Sequence, residues 1–248
     1  MRVFGIIPAR YASTRFPGKP LADIFGKSMI RRVYEQAKKA EFIEDVVVAT
    51  DDERIFNHVN EFGNVVYTSA KHESGTERCN EAARNLIQKY SLSVNDVIIN
   101  IQGDEPFIDP VQIDKLSKVF DNPEINIATL AKKISSNNEL FDENVVKVVF
   151  DKNFKALYFS RAAIPHRRNF HPEKWMDKFV FYKHIGIYAY RINVLNEISN
   201  INKSYLEECE SLEQLRWIEN GYSVYVVETQ SDSYSIDTPN DIKKYLRI

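Results

Sequence analysis

An α/β fold built on a mostly parallel sheet is predicted by three features of the sequence. Short, continuous apolar runs alternate with stretches of helical periodicity through the first half of the chain. Those runs carry no polar alternation, as expected of strands covered on both faces. The chain has 248 residues, 44% hydrophobic and 12% aromatic, enough to close a core without a disulfide or metal staple. Strand and helix in alternation imply right-handed βαβ units.

The elements follow in order. Val3-Phe4-Gly5-Ile6-Ile7 reads as the first strand; it stops at Pro8, too early for the apolar core of a secretory leader. Met29, Ile30, Val33, Tyr34 and Ala37 repeat at helical spacing. Val46–Ala49 is the second strand, and Ile55, Phe56, Val59 and Phe62 mark the next helix. Val65-Val66-Tyr67 is the third strand; Ala82, Ala83, Leu86, Ile87 and Tyr90 form a helix before the fourth, at 97–101. The second half is richer in strands. Segments 145–151 and 154–160 read as a hairpin turning near Asp151-Lys152-Asn153. Segment 183–191 alternates, with His184, Gly186, Tyr188 and Tyr190 on one face and Ile185, Ile187 and Ala189 on the other. Leu206, Cys209, Leu212, Leu215 and Ile218 form a helical stripe, and 222–228 is a strand. Thr238, Pro239 and Asp241 start a last helix. Segment 165–181 is polar and aperiodic, the expected place for a mobile loop. Nothing marks a repeat or a linker, so residues 1–248 read as one domain with a β-rich insertion.

Charge and cysteine content narrow the function classes. Thirty-three basic and 35 acidic residues leave a net charge of −2, so no global field gathers nucleic acid or an anionic membrane, and an anion site must be local. Two distant cysteines, Cys79 and Cys209, exclude a thiolate zinc cluster and a disulfide framework and fit a reducing cytosol. No apolar run approaches the ~18 residues that span a bilayer.

Several motifs carry chemistry. Directly after the first strand, Pro8 to Pro20 holds Arg10, Arg15 and Lys19 with Ser13 and Thr14, on a stretch pinned by three prolines. Beyond a strand's carboxyl end this composition makes a polyanion clamp, whereas elsewhere it would read as a solvated loop. It is not a Walker A loop: Gly26-Lys27-Ser28 has Leu21 where the first glycine belongs. No Gly-x-Gly-x-x-Gly is present. Asn100 to Pro106 ends a buried strand in Asp104, placed for a hard cation such as Mg²⁺ or simply for a tight turn. Asp237 could supply a second carboxylate, or serve the dipole of the helix it precedes. Ser74-Gly75-Thr76-Glu77-Arg78 opens a helix as an anion site or as a plain cap. The polar aromatic face of 183–191 suits a sugar or a half-exposed strand. Glu213, Gln214 and Arg216 flank an apolar stripe, where a solvated face is the ordinary reading.

Together with Val48–Asp52, 156–161, 183–191, 211–216 and 236–239, these motifs resemble, in order, those of the 3-deoxy-manno-octulosonate cytidylyltransferase family, from residue 3 to about the C-terminus. The resemblance implies a Rossmann-like three-layer sheet of the nucleotide-diphospho-sugar transferase type. It implies a nucleotide-binding half at 1–130, a sugar-binding and dimerisation half at 131–230, and a return to the core at 231–248. It implies a cytoplasmic, Mg²⁺-dependent homodimer that makes CMP-Kdo and pyrophosphate from CTP and 3-deoxy-manno-octulosonate (Kdo) for lipopolysaccharide synthesis, with no nucleic-acid or membrane partner. Carried over position by position, Arg10, Ser13, Arg15 and Lys19 hold the triphosphate, with Lys19, Arg15 and Asp104 catalytic. Asp104 and Asp237 hold Mg²⁺. Ser74, Gly75, Arg78 and Gln102 line the CTP site, and Gln102, Arg161, His184, Tyr188, Glu213 and Gln214 face Kdo. Arg78 and Arg161 are the candidates for the sugar carboxylate, and no general base stands out, although His184 is open to the role. Members often carry a Gly-rich turn before Asp-Thr-Pro, where this chain has Ser231-Asp232-Ser233-Tyr234-Ser235. The alternatives are 8-amino-Kdo or another acidic sugar such as sialic acid, whose enzymes typically lack the Pro17–Pro20 ending. A glycosyltransferase would want an Asp-x-Asp that Asp104-Glu105-Pro106 does not supply, and an inactive regulator would have lost Lys19 or Asp104.

Overall fold

The computed structural model describes residues 1–12 and 16–245, without the side chains of residues 244 and 245. In chain order its elements are β1 (Val3–Ala9), β2 (Asp23–Ile24), β3 (Lys27–Ser28), α1 (Met29–Ala37), β4 (Asp45–Thr50), α2 (Glu53–Asn60), β5 (Asn64–Tyr67), α3 (Gly75–Tyr90), β6 (Val97–Asn100) and α4 (Pro110–Val119). There follow β7 (Ile127–Lys133), α5 (Asn137–Phe141), β8 (Lys147–Phe150), β9 (Ala156–Ser160), β10 (Tyr182–Arg191), α6 (Ile192–Ile198), α7 (Tyr205–Glu210), α8 (Gln214–Glu219), β11 (Val224–Glu228) and α9 (Pro239–Tyr245). The chain forms two compact units. The first holds Met1–Lys118, Ile187–Ser199 and the chain from Ser233 onward; the second holds Val119–Gly186 and Asn200–Asp232. The expected division at 130 and 231 differs from this one chiefly at 187–199, which joins the first unit. Residues 188–191 of β10 pair antiparallel with β6, a long-range contact that local periodicity does not encode.

In the first unit β6, β1, β4 and β5 lie side by side, all parallel. Phe4, Ile6 and Ile7 of β1 and Val46, Val47 and Val48 of β4 are buried, which is why these runs show no polar alternation. β5 lies at the edge and is only half-buried. The helices begin on side-chain caps: Ser28 accepts from the Arg31 N–H, Asp52 from those of Arg54 and Ile55, and Ser74 from that of Glu77. From β1 the chain proceeds to β4 and β5 on one side, then returns through α3 to β6 on the other. That reversal opens a crevice beyond the carboxyl ends of β1 and β6, where α/β sheets bind ligands. Gly103 lets the two strand ends meet, because a Cβ there would lie 2.8 Å from the Pro8 carbonyl oxygen.

In the second unit β7 and β11 form a parallel pair and β8 and β9 the expected hairpin. Asp151 caps its turn by accepting from the N–H groups of Asn153 and Lys155. Two expectations are corrected. The supposed loop at 165–181 contains a 3₁₀ helix, Pro172–Asp177, and is anchored by Trp175. Trp175 is buried with Ile134, Leu140 and Phe181, and its indole N–H donates to the Phe170 carbonyl. One large aromatic thus does the work that periodicity would do elsewhere. The stripe at 206–218 is two helices, α7 and α8, because Ser211 adopts a left-handed φ of 53° between them. Arg216 of α8 bonds Glu207 of α7 through two short contacts, 2.6 and 2.7 Å, which keeps the apolar stripe continuous across the break. Helices α4, α5 and α6 and strands β2, β3 and β7 carry no pattern that distinguishes them in the sequence.

Candidate active site

The crevice beyond β1 and β6 is a cavity of 390 Å³ lined by Pro8, Arg10, Lys19, Gly75, Gln102 and Asp104 among others. The chain leaves β1 and returns to it through Gly18, whose N–H donates to the Tyr11 carbonyl at 2.9 Å. Gly18 has φ 72°, and any Cβ would press on the Tyr11 ring at 3.1 Å. The Arg54 guanidinium stacks on that ring at 3.2 Å and is itself gripped by both carboxylate oxygens of Asp52. These contacts hold the loop's ends in place, and Lys19 follows in a 3₁₀ turn seated by buried Pro20. Ser13 and Arg15, two expected triphosphate ligands, lie outside the described residues.

Lys19 Nζ stands 2.8 Å from Asp104 Oδ2 and 3.4 Å from Asp237 Oδ1. Asp237 reaches this position because the residue before it is anchored. Ile236 is fully buried with Ile24 and Met29, and its N–H donates to the Asp104 carbonyl at 2.9 Å. The serine-rich stretch before Asp237 thus ends on an apolar peg. Glu105 is buried beside it; desolvation, with help from the Asp104 charge, pushes its carboxyl up to about 7 against a bond to Ser233. In the sequence Ile236 and Glu105 stand only as members of the motifs at 236–239 and 100–106, with no role of their own.

The two carboxylates suit a divalent cation. A lysine ammonium already occupies the space between them, so the pocket is built for positive charge at that point. Among the described residues no group of three or more His, Cys, Asp or Glu could hold a metal unaided. A hard cation such as Mg²⁺ needs only one or two protein carboxylates and completes its shell with phosphate and water.

Arg10 donates to the carbonyls of His72 and Ser74, tying the end of β1 to the start of α3. Arg78 is fully buried, with Nη1 on Thr68 Oγ1 at 2.5 Å and on Asp51 at 3.2 Å. Its Nε and Nη2, and Asn100 Oδ1, have no hydrogen-bond partner among the described residues. Burial lowers the Arg78 pKa below the ordinary value, with Asp51 opposing. Open buried donors are uncommon in a native fold and call for an explanation such as a bound water, an ion or a ligand. Tyr188, also in this unit, is buried and stacks on Tyr190 with centroids 6.0 Å apart.

The remaining expected residues belong to the second unit. The Arg161 guanidinium is committed to main-chain carbonyls, those of Glu210 at 2.8 Å and Glu143 at 3.1 Å. His184 bonds Thr129 Oγ1 at 2.9 Å and meets Phe159 edge-on. Burial pushes its imidazole down to about 3, so it is neutral at physiological pH and a weak base. Gln214 is 5% exposed and its Nε2 has no hydrogen-bond partner among the described residues, while neighbouring Glu213 is half-buried.

A family model described as cytidylyltransferase matches residues 4–236. The 3-deoxy-manno-octulosonate cytidylyltransferase of Parabacteroides distasonis is 53% identical over 99% of this chain and 97% of its own length. That of Bacteroides thetaiotaomicron is 51% identical over 98% of this chain and 96% of its own. Among solved structures, a CMP:2-keto-3-deoxy-manno-octonic acid synthetase complexed with CTP superposes with a TM-score of 0.89 at 41% identity, covering 99% of this chain and 97% of that one. A putative glucose-1-phosphate thymidylyltransferase from Bacillus anthracis, 19% identical with a TM-score of 0.61 over 98% of this chain and 93% of its own, shares the fold.

Proposed function

The chain belongs to the 3-deoxy-manno-octulosonate cytidylyltransferase family, and on that premise we propose how its residues carry the reaction. The enzyme transfers CMP from CTP to Kdo, releasing pyrophosphate, and so activates Kdo for lipopolysaccharide synthesis. The fold is the expected nucleotide-diphospho-sugar transferase type.

The observation that carries the assignment of parts is the Lys19–Asp104–Asp237 cluster at the mouth of the crevice. Asp104 and Asp237 would hold Mg²⁺, which when bound neutralises triphosphate charge and polarises the α-phosphoryl group. Lys19 turns from the carboxylates to the phosphate oxygens and, with Arg10 and Arg15, offsets charge growing on the leaving pyrophosphate. The anomeric hydroxyl oxygen of Kdo bonds to the α-phosphorus, the bond to the β-phosphate oxygen breaks in line, and the hydroxyl proton passes to solvent. Ser74, Gly75, Arg78 and Gln102 bind the nucleotide; the open donors of Arg78 support this. Gln102, Tyr188, Glu213 and Gln214 are assigned to the sugar on the family resemblance, the amide of Gln214, unpartnered among the described residues, in support of its part. His184 orients as a neutral hydrogen-bonding group, and Arg161, held by carbonyls, braces its surroundings as well as offering charge to the sugar carboxylate. Catalysis on this reading is positioning and charge neutralisation, with no protein general base. A homodimer in the cytoplasm completes the proposal, on the family resemblance alone.

Pyrophosphate release with CTP and Mg²⁺, measured across Kdo, 8-amino-Kdo and sialic acid, tests it. Kdo is expected to be the preferred acceptor and chelation of Mg²⁺ to stop turnover. Faster turnover of either other sugar, or full activity in excess EDTA, would overturn the corresponding part.

A further inference from the structure

Glu213 and Gln214 open α8, and a residue outside the functional assignment holds that opening in place. Glu210 ends α7. Its Oε1 accepts from the Ser160 hydroxyl at 2.6 Å and its Oε2 from the Arg161 N–H at 2.9 Å. The Tyr158 hydroxyl bonds the same carboxylate, one of the causes, after burial, that hold that phenol above its ordinary value. The Glu210 carbonyl accepts from Arg161 Nε. Strand β9 and the residue after it thus grip Glu210 through both side chain and backbone. The next residue, Ser211, reverses the chain in the left-handed region, and Leu212 N–H closes the turn onto the Glu207 carbonyl at 3.3 Å. Gln214 follows within one turn of helix, buried, its amide nitrogen without a hydrogen-bond partner among the described residues.

We propose that Glu210 is a positioning residue for the acidic sugar. By clamping the Ser211 turn to the end of β9 it sets where the Glu213 carboxylate and the Gln214 amide stand. It does not touch substrate, because both carboxylate oxygens are already engaged by three donors. The inference rests on the reading of Glu213 and Gln214 as sugar ligands. It gives a physical role to the Tyr158-Phe159-Ser160-Arg161 motif, which the motif's composition did not reveal. A one-ångström displacement of a binding group is enough to cost orders of magnitude in productive binding, so the clamp acts on the sugar and leaves the nucleotide alone.

Steady-state kinetics on the full chain tests this, with Kdo and CTP varied separately. Glu210→Ala is expected to raise the KM for Kdo about tenfold or more while the KM for CTP stays within about twofold, and Glu210→Gln, which keeps one acceptor, to recover most of the loss. Ser160→Ala, which removes one clamp bond and is the milder variant should Glu210→Ala not fold, is expected to raise the KM for Kdo several-fold. In a Gln214→Ala background Glu210→Ala should add little, since both act through one group. An unchanged KM for Kdo in both Glu210→Ala and Ser160→Ala, or an equal rise for both substrates, would overturn the proposal, as would full additivity with Gln214→Ala. Failure of the wild-type chain to use Kdo would instead overturn the functional reading beneath it.

Discussion

Lys19 is the residue on which the phosphate and metal chemistry turns. Two carboxylates converging on one point repel each other, and the ammonium 2.8 and 3.4 Å away makes their approach favourable. Removing one carboxylate should therefore leave the fold intact and strike the chemistry. Asp104→Asn is expected to lower turnover ~10²–10³-fold, the scale of losing one preorganised charge contact, while CTP binding measured calorimetrically falls only a few-fold. Near-normal turnover would refute the role of Asp104. Lys19→Ala should weaken CTP binding and rate together; an unchanged response to CTP would make the lysine a mere counter-ion. Sequence reading found all three members of this cluster, because each sits beside a glycine, a proline or a helix start that betrays a turn. It did not find Glu105, Ile236 or the Tyr11–Arg54 stack, whose importance lies in what they touch.

At the scale of elements, the crevice exists because β1 and β6 are neighbours whose ends can come close. Gly103 is the point of contact. Gly103→Ala would force a Cβ against the Pro8 carbonyl at 2.8 Å, backbone that cannot swing away. The expected cost is about 1–3 kcal/mol of stability, as for overpacking elsewhere, with a loss of turnover well beyond what partial unfolding explains. Chemical denaturation and pyrophosphate release on the same preparation check it; wild-type values in both would show that the strand ends need no such closeness. The segment 165–181 gives the opposite lesson. Its polar composition conceals Trp175, which packs on Phe181 and Phe141 with centroids 6.0 and 5.4 Å away. One buried indole orders a stretch that has no period.

For the molecule as a whole, stability should depend on pH through His184. Its folded value of about 3 lies below the ordinary 6.5, so the unfolded chain takes up the proton first. The contribution is complete above pH 6.5 and is lost as pH falls toward 3, at up to about 1.4 kcal/mol per pH unit. Between pH 6.5 and 4.5 Glu105, with a folded value of about 7, takes up its proton in the folded chain first and contributes the opposite slope, so in urea denaturation across that window His184→Gln should gain stability relative to the wild type as pH falls, the two slopes differing by up to about 1.4 kcal/mol per pH unit. Equal slopes in the two proteins would show that the imidazole is not held neutral.

Helices α1, α2 and α3, the buried strands β1, β4 and β6 and the order of the motifs are legible along the chain, because capping, burial on two faces and turn chemistry are settled by near neighbours. The division into units was decided elsewhere, in the pairing of 188–191 with β6, and so was the break in the stripe at Ser211. The meeting of Lys19 with Asp104, 85 residues on, and with Asp237, 218 residues on, was decided in the same way. Such approaches depend on which buried surfaces find each other, as Ile236 finds Ile24 and Met29. That choice is made by packing across the whole core, and no local pattern contains it.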